Sequence, residues 1–354
     1  MLKRFGLHTA LAALLGLPAL WVLHPAPVAA QALTVTGYAD FEASLNKLGS
    51  GHNEFTYDTH HVNLILEGYI TGHLFFSSEI EYEHGADEIG MEYGFFGYSG
   101  IKDLRIIAGK FLLPFGRFNQ DLHPSTVNKI PAMPLGMRHV VPVGYSDQGL
   151  WLQGAKAIND DARFVFDVYT IDGLLGEDGA DIRSLRDNIG DETENIAGYG
   201  HDNNKAFGGR LGFELPFQGL DFGVSLYTGR YAVAESGRKL NLNMVDFDAQ
   251  YMKNDFSLRG EYVHANQDAT GGDLTKSGGW VQAAYRVAPK VEPVVRYSFL
   301  NLPGRADDAT RLALGVSFQL APSSIIRFAY LRNMERSGFK TSNDGLVAQF
   351  NVIY

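Results

Sequence analysis

The sequence of 354 residues contains no cysteine, so disulfide bonds play no part in its stability. Beyond the N-terminus it has no apolar run of about 18 residues, the length that a membrane-spanning helix requires, which excludes a helical membrane protein. Basic residues are scarce, with 30 Lys and Arg against 40 Asp and Glu. The net charge of −10 leaves no cationic excess for neutralising phosphates, so we expect no nucleic-acid partner.

The first thirty residues have the pattern of an export signal. Two basic residues precede an apolar segment over 5–23, and small residues ending at Ala30 or Ala32 fit a cleavage site. The alternative is an N-terminal membrane anchor, but prolines within and just after the apolar segment would disrupt a spanning helix. We therefore predict that 1–30 is a signal peptide, cleaved after residue 30 or 32, and that one domain covers 31–354.

The rest of the chain is dominated by a sequence period of two, which is the period of a β-strand. Val62, Leu64 and Leu66, for example, alternate with Asn63 and Glu67. About sixteen such segments follow one another, each about ten residues long, the length of a tilted strand that crosses a bilayer. Their connections alternate between short turns and longer polar loops. The sequence therefore predicts an all-β protein, a transmembrane antiparallel up-and-down β-barrel of about 16 strands.

The last segment supports a closed barrel in a bacterial outer membrane. Apolar side chains recur at every second position, and the chain stops on an aromatic residue. A barrel needs its last strand to pair with the first, because this removes both open edges. Such an ending is similar to the insertion signal of outer-membrane proteins, so we predict that Phe350, Val352 and Tyr354 are read by the barrel-assembly machinery. The alternative, a soluble protein that happens to end on a strand, leaves the other segments unexplained.

The segment between residues 109 and 149 breaks the alternation. It contains five of the 13 prolines, and each removes a backbone donor, so it cannot belong to a continuous ladder. It is also too apolar for a solvated linker, with residues such as Phe111, Leu113 and Phe118. Long loops inside a regular domain are usually functional. We predict that 112–148 folds into the barrel as its third loop and sets the width of the lumen.

Charged side chains on the inward faces define the predicted pore. In the second half of the chain the inward set is basic and consists of Arg259, Arg286, Arg296, Arg311 and Arg327. On strands two to four it is acidic and includes Glu67, Glu79 and Glu81. Two such walls facing across a narrow lumen would make a transverse field that orients dipolar solutes and tunes ion selectivity. In the alternative interpretation, these residues pair with their neighbours and only stiffen the wall.

The loop itself carries a small positive charge. Its basic residues are Arg117, Lys129 and Arg138, with His123 and His139, and its acidic residues are Asp121 and Asp147. A positive loop beside an arginine wall would attract anions to the constriction even though the whole chain is negative. We therefore expect an anion preference.

Other kinds of site have little support in the sequence. His60 and His61 are adjacent on a strand, so we expect them to point to opposite faces and not to share a metal ion. No ordered ligand pattern of a calcium loop is present, and no spacing of serine and histidine singles out a nucleophile. The sequence therefore predicts no catalytic residue, no cofactor and no metal.

Short motifs in and around the third loop resemble a known family. They are the run Gly-Lys-Phe-Leu-Leu-Pro-Phe-Gly-Arg-Phe-Asn over 109–119, His123-Pro124, Asn128-Lys129 and the run over 146–149. They resemble the third-loop region of the phosphate-selective porin O/P family. The resemblance implies a trimeric channel constricted by its third loop, with phosphate selected by arginines and lysines; Arg117 and Lys129 are the positions that carry over. The marked basic excess of a strongly phosphate-selective pore is absent here.

These observations predict an outer-membrane porin that catalyses no reaction. Small hydrophilic solutes or ions would diffuse through it passively, with an anion or phosphate preference, and the expected assembly is a homotrimer surrounded by outer-membrane lipid. The alternative is a barrel-mounted outer-membrane enzyme or a surface adhesin with a plugged lumen. An enzyme would need an activated nucleophile at the barrel surface, whereas an adhesin would carry its function in the outer loops.

Overall fold

The computed structural model describes residues 33–47, 53–86, 88–122, 124–142, 144–180, 182, 186–187, 205–233, 236–302, 309–335 and 343–354. The predicted signal peptide over 1–30 lies outside these residues. Sixteen long strands form one closed antiparallel sheet, which confirms the predicted all-β barrel.

The strands follow the chain in simple order. The first seven are β1 (Thr34–Lys47), β2 (Asn53–Tyr69), β3 (Leu74–Glu83), β4 (Glu88–Ile101), β5 (Leu104–Leu112), β6 (Ser146–Asn159) and β7 (Ala162–Ile171). Two short strands, β8 (Leu174–Gly176) and β9 (Arg186–Asp187), lie in the connection that follows. The remaining barrel strands are β10 (Ala206–Leu215), β11 (Leu220–Val233), β12 (Lys239–Lys253), β13 (Phe256–Gln267), β14 (Leu274–Tyr285), β15 (Val291–Asn301), β16 (Ala309–Ala321), β17 (Ser324–Glu335) and β18 (Gly345–Ile353).

In the residues that the structure describes, helical structure is confined to single turns. Among them, α1 (Leu135–His139) is the one α-helical turn, and Phe118–Leu122 forms one π-helical turn. Short 3₁₀ turns occur at His84–Ala86 and Pro216–Gln218. Across the described ranges, no helix is both long enough and apolar enough to cross a membrane.

The predicted short turns are present, since β2–β3, β4–β5 and each later pair of that kind are joined by only a few residues. Some connections predicted to be longer are about as short, such as the one between Glu83 and Glu88. The first two strands are longer than the ten residues expected, since β1 continues to Lys47 and β2 begins at Asn53. Polar residues near these ends do not interrupt the strands, because the two strands pair with each other up to Lys47 and Asn53.

The sheet closes between its first and last strands. β1 pairs with β18 over nine residue pairs. At the end of this seam, Gly37 and Tyr354 exchange two backbone hydrogen bonds of 2.9 Å. The ring of Tyr354 lies so close to Gly37 that an added Cβ would approach it to 2.8 Å, and its hydroxyl donates to the carbonyl of Asn63. The pairing removes both open edges, as predicted from the last segment.

The outer wall is apolar and the inner wall polar, which confirms the alternation. On β10, Phe207, Leu211 and Phe213 are exposed on the outside, whereas Arg210 is buried inside. The same division holds on β16, where Leu314 is exposed outside. Exposed apolar side chains around the barrel match the hydrocarbon of a bilayer.

A β-bulge interrupts the alternation in β2. Asp40 of β1 lies opposite His61, but Glu42 lies opposite Asp58, so β2 contains one extra residue at this point. The extra residue turns His60 to the inner face beside His61, and their ring centroids are 3.8 Å apart. The prediction that the two histidines point to opposite faces is therefore wrong, because it assumed an unbroken pleat.

The loop between β5 and β6 folds into the lumen, as predicted. Its apolar side chains pack on the inner wall and form the main hydrophobic core of the molecule. The core's largest side chains include Phe111, Leu113, Phe115, Phe118 and Met137 from the loop region and Trp151, Tyr169, Tyr227 and Trp280 from the wall. The apolar interior therefore lies between one loop and one side of the barrel.

Candidate functional site

Arg327 on β17 fastens the middle of the loop to the inner wall. Its guanidinium donates to the carbonyls of Ser125 at 2.8 Å and Thr126 at 2.9 Å, and to Gln349 at 3.1 Å. Ser125 is held a second time, because its hydroxyl accepts from Asn351 of β18 at 2.8 Å and also hydrogen bonds with the side chain of Asp40 of β1. The loop therefore binds both strands of the barrel seam.

Two further arginines bind the next part of the loop. Arg296 on β15 donates to the carbonyl of Ala132 and, at 3.3 Å, to Oδ1 of Asn128. Arg311 on β16 lies 3.5 Å from the carbonyl of Met133. Arg296 is only 1% exposed. The loop covers Arg296, whose partners are loop atoms, whereas the nearest partner of Arg311 is Oδ1 of Asn333 on β17 at 2.6 Å.

Lys129, predicted as a constriction residue, is paired with the wall. Its Nζ lies 2.6 Å from Oε1 of Glu292 on β15 and 3.5 Å from the hydroxyl of Ser257 on β13. Burial lowers the pKa of Lys129 below the usual lysine value, and the hydrogen bond to Glu292 acts in the opposite direction. The neighbouring loop residue Ile130 has no exposed surface and packs against apolar residues of the wall, such as Val294 and Ala313. This segment therefore combines an apolar contact with an ion pair.

Arg117, the other loop residue predicted at the constriction, lies among three carboxylates. It contacts Asp121 of the loop at 2.9 Å, Asp221 of β11 at 2.6 Å and Asp248 of β12 at 3.5 Å. Arg210 of β10 binds the same wall carboxylates, with Asp248 at 2.7 Å and Asp221 at 3.5 Å. The positive charge of Arg117 is therefore compensated where it meets the wall.

The first turn of the loop is held through its backbone. Gly116 has a φ of 64° and donates its N–H to the hydroxyl of Ser225 at 2.9 Å. The N–H of Phe118 donates to Oε2 of Glu261 on β13 at 2.9 Å. A side chain at position 116 would overlap the carboxylate of Glu261. Only glycine combines this backbone angle with so close an approach.

The helical turn α1 also lies directly on the wall. An added Cβ at Gly136 would come within 2.6 Å of the backbone nitrogen of Gly279 and 2.7 Å of the carbonyl carbon of Gly278, both on β14. Backbone atoms cannot move aside as a flexible side chain can. The meeting of these glycines therefore fixes the distance between α1 and the wall.

The predicted acidic residues lie together on β2 and β3. Asn63 donates to Glu79 at 2.6 Å and to Glu81 at 2.9 Å. Glu67 is more exposed and accepts from Ser77 at 3.2 Å. These strands therefore place an amide between two carboxylates of the acidic residues.

Three other predicted residues lie elsewhere. Arg259 is half-buried on the inner face of β13, 3.1 Å from the sulfur of Met252. Arg286 was expected within a strand but lies in the turn after β14, with its side chain 55% exposed and 3.8 Å from Asp255. It therefore sits at the rim, since β14 ends at Tyr285. Arg138 lies in α1, and its side chain is outside the described part of the structure.

The carboxylates that receive the loop were not predicted from the sequence. Asp246, Asp248 and Glu261 are buried on the inner faces of β12 and β13. A signal was present, because Asp246 and Asp248 are two residues apart and must share one face of a strand. In the second half of the chain, only arginines were predicted on the inward faces, and these acidic residues were left out.

The chain is similar to known proteins of one family. A family model described as Gram-negative porin matches residues 10–337. The structure resembles the anion-selective porin from Comamonas acidovorans, with a TM-score of 0.67 and 14% identity over 92% of this chain and 100% of that one. It also resembles Salmonella typhi OmpF in complex with daunomycin, with a TM-score of 0.62 and 13% identity over 91% of this chain and 97% of that one.

A further similar structure is the trimer form of in-vitro folded OmpT, an outer membrane protein of Vibrio cholerae. The TM-score is 0.59 and the identity 13%, over 91% of this chain and 100% of that one. At identities this low, the three structures establish the fold alone. No curated protein matches the sequence.

Proposed function

Since this chain belongs to the Gram-negative porin family, we propose that its lumen passes small hydrophilic solutes by passive diffusion. The protein lies in the bacterial outer membrane. The observation that carries the proposal is the third loop, which lies inside the barrel and is bound along the inner wall from β11 to β18. A loop held in this way narrows the lumen and leaves the barrel wall itself intact. The proposal includes no chemical reaction.

We also propose an anion preference on the arginine side of the lumen. Among the described residues, Arg259, Arg296 and Arg327 form no ion pair within 4.0 Å, so their charges are not cancelled locally. Salt screens buried charges less than exposed ones, and the field of these groups therefore extends into the lumen. The similarity to a structure described as an anion-selective porin is consistent with this proposal. The carboxylates of β1 to β3 complete a transverse field.

A phosphate preference rests on the resemblance of residues 109–119 to the phosphate-selective O/P family. The two basic positions that this resemblance assigns to the pore, Arg117 and Lys129, are both engaged by carboxylates. A phosphate would have to compete with Asp221 and Glu292 for them. We therefore place phosphate among the anions that the pore admits, and assign it no dedicated site.

We propose a homotrimer as the functional assembly, as the resemblance implies. The support is the similarity to a structure described as a trimer form. The predicted recognition of Phe350, Val352 and Tyr354 by the barrel-assembly machinery belongs to the same proposal. Chemical cross-linking of the folded protein in detergent would give a trimeric band, and a ladder that stops at the monomer would contradict it.

The channel proposal is tested by single-channel recording in planar bilayers with the purified, folded protein. We expect stepwise conductance in potassium chloride and, under a salt gradient, a reversal potential that favours chloride. Arg259→Gln should shift this potential towards potassium, because it removes an uncompensated charge from the inner face. The matched control is Arg332→Gln, which removes an exposed charge from the outer side of β17 and should leave the potential unchanged.

Two outcomes would contradict the proposal at different levels. A reversal potential that favours potassium in the unmodified protein would refute the anion preference and leave the channel intact. If the heat-modifiable electrophoretic mobility shows that the protein is folded and no conductance is recorded, the channel itself would be refuted. The adhesin and enzyme alternatives would then be the ones to test.

A further inference from the structure

The β-bulge in β2 gathers histidines and carboxylates at one place on the inner wall. His60 and His61 lie side by side there, with Asp40 and Glu42 of β1 facing them. Without the bulge, His60 would face the lipid side, as its exposed neighbour Thr59 does. The local irregularity therefore creates a cluster that an unbroken strand could not form.

The donor atoms of this cluster are spaced as the ligands of one metal ion. Nδ1 of His60 lies 3.9 Å from Oδ1 of Asp40 and 3.8 Å from Oε1 of Glu42. Nδ1 of His61 lies 3.1 Å from Oδ2 of Asp40. Ligands bound to a tetrahedral zinc ion at about 2.0–2.1 Å are about 3.4 Å apart. The observed distances bracket that value, so small rotations of the side chains would complete the site.

A second observation also points to a missing ligand. Nδ1 of His60 is buried and has no hydrogen-bond partner among the described residues. A buried nitrogen without a partner is costly, and native structures rarely leave one unexplained. This nitrogen is aimed at the space between Asp40 and Glu42, where a cation would bind all three side chains.

Outer groups support the inner ones, as is common around protein-bound metals. Glu42 accepts a hydrogen bond from Gln349 at 2.7 Å, which orients its carboxylate. On one side, Nδ1 of His84 lies 2.8 Å from Oδ2 of Asp58, and the ring centroids of His84 and His60 are 5.4 Å apart. On the other side, Glu81 and Glu83 lie 3.7 and 3.5 Å from Nε2 of His61. His60 is 31% exposed, so an ion in the lumen can reach the cluster.

We propose that Asp40, Glu42, His60 and His61 bind a divalent transition-metal ion of the zinc class on the inner wall of the barrel. Imidazole nitrogens suit zinc, copper and nickel, whereas calcium and magnesium prefer sites made of oxygen atoms alone. The pleat of an unbroken strand predicts no metal here, because it would place the two histidines on opposite faces. The bound ion adds positive charge to the acidic side of the lumen and weakens the transverse field there.

The binding test uses untagged, folded full-length protein dialysed against zinc chloride, with zinc and protein measured in the same samples. We expect one tightly bound zinc ion per chain, and excess calcium should not displace it. His60→Gln and His61→Gln should each weaken zinc binding at least about tenfold. The control is His73→Gln, which removes an exposed histidine from the β2–β3 turn and should bind zinc as the unmodified protein does.

A second measurement reports on the same site inside the pore. Micromolar zinc should shift the reversal potential of the unmodified channel further towards chloride, and His60→Gln should abolish this shift. Stoichiometric zinc without any shift would place the ion outside the lumen and overturn the proposal. Three other results would also overturn it. They are protein that binds no zinc, His60 and His61 variants that bind zinc as tightly as the unmodified protein, and zinc that calcium displaces. Because every variant is checked for heat-modifiable mobility, failure of zinc binding is distinguishable from failure of the channel.

Discussion

Replacing Arg327 with methionine should release the middle of the third loop from the wall and leave the barrel intact. Arg327 donates hydrogen bonds to the carbonyls of Ser125 and Thr126 at 2.8 and 2.9 Å, and to Gln349 at 3.1 Å. Methionine fills much of the same space but has no donor. Two loop carbonyls would therefore lose their partner, whereas the strand pairing of β17 would be unaffected.

The size of the effect follows from two opposing contributions. Each buried carbonyl left without a donor costs about 1–3 kcal/mol, which gives about 2–6 kcal/mol for the pair. The variant also no longer buries a guanidinium that lacks a carboxylate partner, and this offsets several kcal/mol at most. We expect the free energy of loop docking to fall by about 2 kcal/mol, which is about thirtyfold in the ratio of docked to undocked loop.

Hydrogen exchange measured by mass spectrometry on the folded protein in detergent micelles tests this value. Within the loop, the amides of Val127, Asn128 and Ala132 are hydrogen bonded to nearby carbonyls. Peptides covering 124–132 should exchange about thirtyfold faster in Arg327→Met, because local opening sets their protection. The control is Arg332→Met, which makes the same chemical change on the exposed side of the same strand.

Two results would refute this reasoning. Unchanged exchange over 124–132 in a folded Arg327→Met barrel would mean that the loop is held by other contacts, such as the apolar seat of Ile130. Faster exchange spread over all the strands would mean that Arg327 stabilises the barrel as a whole and not the loop in particular.

Two further changes test the close approaches of backbone to backbone and of ring to backbone. Gly136→Ala should push α1 off the wall at a cost of about 1–3 kcal/mol and alter the unit conductance, because its Cβ would meet the backbone of Gly279. Gly72→Ala, at a position with open space around it, should change nothing, and equal conductance in both variants would contradict the argument. Tyr354→Ala should lower the yield of folded barrel by exposing Gly37 at the seam, whereas Tyr354→Phe should fold almost normally. Equal yields from the two variants would show that the ring is dispensable.

The barrel was predictable because its two faces meet different surroundings. Apolar residues at every second position are required wherever a strand faces lipid, so all sixteen long strands leave a visible pattern. The loop was predictable for the opposite reason, because prolines and apolar residues together suit neither a strand nor a solvated linker. The alternation of apolar and polar residues does not predict which loop atoms cover which wall residues. Arg296 and Arg327 were assigned to the correct face, but their partners lie more than 160 positions away in the sequence.

The bulge in β2 was missed although the sequence carries a sign of it. Outward apolar residues occupy odd positions at Phe55 and Tyr57 and even positions at Val62 and Leu64. Such a change of phase within one strand requires an extra residue. The expected strand length of about ten residues hides this change of phase, and the face of His60 was predicted from a pleat that the strand does not keep. The candidate metal site depends on the one extra residue of the bulge, because that residue turns His60 to the inner face.

Ser125 links the width of the pore to the completion of the barrel. It is held at once by Asp40 of the first strand, Asn351 of the last strand and Arg327 beside them. Arg327 and Asn351 lie on the paired strands β17 and β18, but Asp40 joins them only when the two ends of the sheet have met. During assembly, a barrel with an open seam therefore holds this serine from one side only. The pairing that seals the wall also completes the seat of the loop, so closure of the barrel and the fixing of the aperture end in the same step.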